Sequence, residues 1–125
     1  MNEEEYWIPV KDINIFKGEY LKIKYTPPMS SEQILYVQCL DVQQGNLLNH
    51  YTQSIIFIGK ILIQRKSPAF FECGTLHKVN KVYYSILDAY PLKIDCCTKW
   101  DEIDIQFISQ KEFDQVKQRV IDILS

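Results

Sequence analysis

Four side chains carry the atoms of a zinc site: Cys73, His77, Cys96 and Cys97. Tetrahedral zinc takes Cys and His as closely spaced pairs, and Cys73-x-x-x-His77 is an acceptable first half. The second half is two adjacent cysteines. Neighbours on a strand point to opposite faces, so both seldom reach one ion, and neither a metal nor another cofactor is expected. A Cys–His nucleophile would pair Cys73 or Cys96 with His50 or His77, and a third group would orient the imidazole. The turn Glu72-Cys73-Gly74 could present a thiol, but no helix N-terminus marks it as one of depressed pKa. Gly18, Gly45, Gly59 and Gly74 stand apart from one another, which removes the phosphate-loop and dinucleotide fingerprints. No catalytic constellation remains, and the expectation is a protein that is not an enzyme.

What does concentrate is acid and aromatic. Asp88, Asp95, Asp101, Glu102 and Asp104 make the stretch 88–104 acidic, and Tyr83, Tyr84, Tyr90 and Trp100 fall in or beside it. Convergent carboxylates can hold a divalent ion, but Glu102 and Asp104 on one strand face are also what a plain solvated face looks like. Aromatic anchors within a charged rim suit a protein interface. These nine residues are the candidate partner-binding set. The expected function is a non-enzymatic protein-binding domain: an inhibitor, an immunity-type neutraliser or an adaptor subunit. Its partner would be another protein, of basic character if the carboxylates steer it.

The alternative is a small β-barrel that binds single-stranded nucleic acid. Tyr20, Lys22 and Lys24 share one strand face, and Lys60 could extend it; aromatic and basic residues on an open sheet hold single strands by stacking and phosphate contact. The formal net charge of −2 argues against a general polyanion binder, because counterion release needs a concentrated basic surface.

A length of 125 residues is typical of one domain, taken as 1–125. The hydrophobic fraction of 46% and charged fraction of 24% are globular rather than disordered. The acidic start, Met1-Asn2-Glu3-Glu4-Glu5, lacks the features of a signal peptide. No apolar run spans a bilayer as a helix, so the expected location is cytoplasmic, with reduced thiols.

The elements that must position these groups are mostly strands. Glu19–Thr26 alternates Leu21, Ile23 and Tyr25 against Tyr20, Lys22 and Lys24. Asp101–Ile108 alternates as cleanly. In Ile55–Gln64 both faces are apolar, with Ile55, Phe57, Ile61 and Ile63 on one side and Ile56, Ile58 and Leu62 on the other. Gly59 in its middle predicts a bulge or a close backbone approach. Ala69–Leu76 and Lys81–Leu87 read as a hairpin around 77–80, Leu92–Cys97 as a short strand, and Asn46–Gln53 as a loop. Trp7–Phe16, with Pro9 inside, reads as an edge strand that could pair with a second copy. Gln33–Val42 fits a strand by composition, or a helix by its Ser30-x-x-Gln33 box and Gly45 stop.

The C-terminus reads as a helix. Ser109-Gln110-Lys111-Glu112 is a capping box, and Phe113, Val116, Val120, Ile121 and Leu124 recur at helical spacing. Lys111, Asp114, Gln115, Gln118 and Asp122 occupy the polar face. The expected fold class is α+β, mostly β: an antiparallel sheet or a partly closed small barrel, with this helix packed on it.

Overall fold

The computed structural model describes residues 8–9, 17–26, 32–47, 50–65, 77–97 and 102–125. The strands are β1 (Ile8–Pro9), β2 (Tyr20–Thr26), β3 (Gln33–Leu47), β4 (His50–Gln64), β5 (His77–Val79), β6 (Val82–Leu87), β7 (Leu92–Cys97) and β8 (Glu102–Ile108). A single helix among the described residues, α1 (Gln110–Leu124), follows them. The strands form one antiparallel sheet in the order β1-β8-β2-β3-β4-β6-β5, and β7 pairs separately with β4. The sheet is open, so the fold class is α+β with the barrel alternative set aside. The edge expected near Trp7–Phe16 is present as Ile8–Pro9 against Ile105 and Asp104.

Gln33–Val42 is strand, and it runs on to Leu47. Within the segment 46–53, expected as a loop, residues 46–47 and 50–53 are instead strand, with Gln44 opposite Gln53 and Leu47 opposite His50. Cross-strand backbone pairing does not require apolar side chains, and composition alone hid this pairing. The later hairpin also turns three residues further on than expected. His77–Val79 is strand, and the turn is Asn80-Lys81, both at positive φ (51° and 67°). Two positive φ values in a two-residue connection match the twist of the flanking strands. The Ala69–Leu76 strand lies outside the described residues.

Two bulges bend the β3–β4 pair. Gln38 faces Ile58 but Tyr36 faces Ile61, so β4 carries one extra residue at Gly59-Lys60. Cys39 faces Phe57 but Asp41 faces Ile56, so β3 carries one extra residue in return. The Asp41 carboxylate accepts from the Val42 N–H at 2.9 Å there. Below the bend β4 pairs with β7 through Thr52–Phe57; above it, with β6 through Lys60–Gln64.

The bulge corrects the face assignment of β4. Ile55, Phe57 and Leu62 point into one core, with Leu21, Ile23, Leu35, Val37, Cys39, Ile94, Ile103 and Ile105. Ile61 and Ile63 point into the other, against the helix. An extra residue inverts the alternation downstream, which strict period-2 reading cannot register.

The helix begins where its box predicts. Ser109 has extended backbone, and its Oγ accepts the Glu112 N–H at 3.0 Å. Phe113, Val116 and Val120 are buried against Tyr36 and Ile61, with Tyr20, Ile34, Ile63, Tyr84 and Ile86 around them. Ile121, expected in the stripe, is 41% exposed. Leu124 continues the stripe against the same core, so of the expected apolar positions only Ile121 turns outward.

Gly59 has φ +72°, and a Cβ built there would stand 3.0 Å from Phe113 Cζ. Gly18 has φ +86° with nothing within 4 Å. The left-handed region costs a β-carbon-bearing residue roughly 1–2 kcal/mol. Gly18→Ala is therefore expected to lose about that much unfolding free energy, and Gly59→Ala about 1 kcal/mol more through displacement of the ring. Urea unfolding of both variants checks this; equal losses would mean that Phe113 yields freely.

Candidate functional site

The predicted partner-binding residues divide over the sheet. Tyr83 and Tyr84 are neighbours on β6 and take opposite sides. Tyr84 packs into the helix-side core, while the Tyr83 ring lies 5.5 Å from the Lys78 ammonium. Asp88 and Tyr90 occupy the exposed turn between β6 and β7, and Tyr90 is 41% exposed. This turn stands where β4 bends, since β6 ends opposite Lys60 and β7 begins opposite Phe57. Lys117 of α1 reaches across to the Asp88 carboxylate at 2.6 Å. Such a solvent-exposed pair contributes at most about 1 kcal/mol, but it fixes the helix beside the turn.

Asp104 is elsewhere. It lies on β8, opposite Lys24 of β2. Four strand spacings separate β8 from β6, roughly 19 Å. Glu102 pairs with Thr26 on the same distant strand, and Asp95 pairs with Ser54 on β7. Trp100 and Asp101 lie outside the described residues. The structure therefore keeps Asp88 and Tyr90 together in the β6–β7 turn, leaves Tyr83 at the other end of β6, opposite Gln64, and places Asp104 and Glu102 on the distant β8.

The residues proposed for nucleic acid lie under or beside the helix. The Tyr20 ring packs on Phe113, with centroids 5.0 Å apart, so that face is occupied rather than open for base stacking. Lys60 is buried. Lys22 and Lys24 remain on the helix side of β2.

Lys22 instead takes part in a cleft that sequence reasoning missed. The helix packs on β3, β4 and β6 and on the Tyr20–Ile108 end of β2 and β8, and leaves the stretch of β2 and β8 around Lys22 and Gln106 to its side. Glu112, Gln115 and Arg119 recur every three or four residues along the flank of α1 that overhangs them. With Lys22, Tyr36 and Gln106 below, they line a cavity of about 480 Å³. Tyr36 is only 7% exposed, and the Lys22 ammonium sits 5.8 Å from its ring centroid. Burial raises the Tyr36 phenol above its ordinary range; Arg119 opposes that shift and Glu112 adds to it. Both helix charges thus act on the same hydroxyl. The signal in the sequence was the i, i+3, i+7 spacing of Glu112, Gln115 and Arg119, but nothing local says which strands that flank overlooks.

Among the described residues, the cysteines and histidines weighed for zinc binding or nucleophilic chemistry are spread over the sheet. Cys73 lies outside the described residues, and Cys96 and Cys97 are positioned by strand register alone, opposite Gln53 and Thr52. His77 is exposed on β5. Among the described residues no three of His, Cys, Asp and Glu gather as a metal would require, and no helix is long and apolar enough to cross a membrane. Cys39 is fully buried, and its thiol donates weakly to the Asp41 carbonyl at 3.5 Å. Burial pushes this thiol up to about 11, away from nucleophilic use at neutral pH. Comparison with protein-family models, curated proteins and solved structures finds no match to this chain.

The buried thiol makes a pH prediction. Below pH 9 Cys39 is protonated whether the chain is folded or not. Between about pH 9 and 11 the unfolded chain releases the proton while the folded chain keeps it, so stability is lost as pH rises. The loss is roughly 2–3 kcal/mol across that window. Urea unfolding at stepped pH is expected to show the decline, and Cys39→Ala to make it shallower between about pH 9 and 10, with the decline from Tyr36, which grows as pH approaches 10, retained in the variant. An unchanged slope in the variant would contradict this.

Proposed function

We propose that this chain is a non-catalytic protein-binding domain, of the inhibitor, immunity-type or adaptor kind, that docks through the corner made by the β6–β7 turn. The observation that carries the reading is Tyr90, a large aromatic side chain exposed in the β6–β7 turn two residues from Asp88. An exposed tyrosine is a low-entropy anchor for a partner, because it has few side-chain torsions to freeze. The Asp88–Lys117 pair is exposed enough to be exchanged, so a cation on the partner can replace Lys117 at Asp88.

The test is affinity capture of the tagged full chain from its native lysate, with the captured protein then titrated quantitatively. A stoichiometric partner is expected to bind Tyr90→Ala about tenfold more weakly, as an anchor residue should. Asp88→Lys is expected to slow association, and Asp104→Lys, at the far end of the sheet, to leave both quantities unchanged. A partner that ignores Tyr90 and Asp88 but responds to Asp104 would overturn this placement.

A further inference from the structure

The cleft beside the helix has no part in that docking corner, and its chemistry points elsewhere. Two cations, Lys22 and Arg119, meet one carboxylate, Glu112, around a nearly buried tyrosine. The excess is positive and lies in a concavity walled by a helix and a sheet, where low-dielectric walls focus the field. The volume of about 480 Å³ falls within the range of small-molecule sites, and a few convergent polar groups on a partly apolar floor are what such sites carry. Arg119 offers a planar fork that pairs bidentately with carboxylate or phosphate. Lys22 enters from the opposite wall, anchored over the Tyr36 ring. Gln106 and Gln115 add neutral amides that can donate to oxygen.

The positive excess also has a structural source. The helix packs its 113–116–120 line on β3, β4 and β6. On the helix side of β2 and β8, Tyr20 and Ile108 join the helix core at one end, and beyond them the residues are polar, with Lys22 opposite Gln106 and Lys24 opposite Asp104. A helix cannot close on such a strip without burying charge. The gap is therefore held open by the core that fixes the helix, and its walls are preformed.

We propose that this cleft binds a small organic oxyanion, a phosphate or a carboxylate, between Lys22 on the sheet and Arg119 on the helix, with the Tyr36 hydroxyl at its floor. Glu112 limits the affinity and the charge the site accepts, because a second negative group would lie against its carboxylate.

The isotope-labelled full chain would be titrated with glycerol 3-phosphate, and separately with succinate, in a constant excess of sodium chloride. Backbone amide shifts are read at Lys22, Gln106 and residues 112–119. Saturable shifts confined to these positions are expected, with Kd on the order of 1 mM or tighter. Binding by either compound supports the site and identifies the preferred head group. Arg119→Gln and Lys22→Gln are each expected to weaken binding at least about fivefold, and Glu112→Gln to tighten it. Arg119 is exposed on the helix surface, so its variant keeps the fold, which the rest of the spectrum verifies. No saturable shift with either compound, or unchanged binding by Arg119→Gln and Lys22→Gln, would overturn the proposal.

Discussion

Phe113 meets β4 at the one residue that has no side chain to obstruct it, and the arrangement of the other elements depends on that meeting. Gly59 supplies two things at once. Its positive φ lets β4 take an extra residue and bend, and its missing Cβ admits the Phe113 ring. The bend inverts the side-chain alternation, so one continuous strand serves the inner core through Ile55 and Phe57 and the helix core through Ile61 and Ile63. It also divides the flank of β4 between β7 and β6. Without the bulge, Ile61 and Ile63 would share the face of Ile55 and Phe57.

Fixing the helix here determines both surfaces of interest. Lys117 comes within reach of Asp88 only because the β6–β7 turn forms at the bend. On the other flank, Glu112, Gln115 and Arg119 are carried over the polar strip of β2 and β8, and a charged cleft results. The docking corner and the cleft are thus opposite consequences of one placement. Neither uses the buried thiol of Cys39, whose raised pKa reflects its position inside the other core.

Much of this was legible in the residues. The alternation of Leu21, Ile23 and Tyr25 with Tyr20, Lys22 and Lys24 defined β2 and its faces, and Ser109 with Glu112 located the helix start. Gly59 was recognisable as a bulge or a close approach, and it is both. What escaped was whatever depends on distant neighbours. The 44–47 and 50–53 stretches are polar, yet backbone pairing makes them strand. The faces of Ile61 and Leu62 follow from the size of the bulge, which composition does not encode. Asp88 and Asp104 are near in sequence, but the chain between them leaves β6 for β7 and then crosses to β8 on the far side of β2. The cleft joins Lys22 to Arg119, a pairing that only the docked helix creates.

The most direct test of this account is a double-mutant cycle between Gly59 and Phe113, combining Gly59→Ala with Phe113→Leu and reading unfolding free energy in urea. If the missing Cβ exists to admit the ring, the smaller leucine relieves the crowding that alanine introduces. The double variant should then be more stable than the sum of the single losses predicts, by about 0.5–2 kcal/mol for residues in contact. Strict additivity would contradict the account, because the bulge and the helix would then be independent features of the fold.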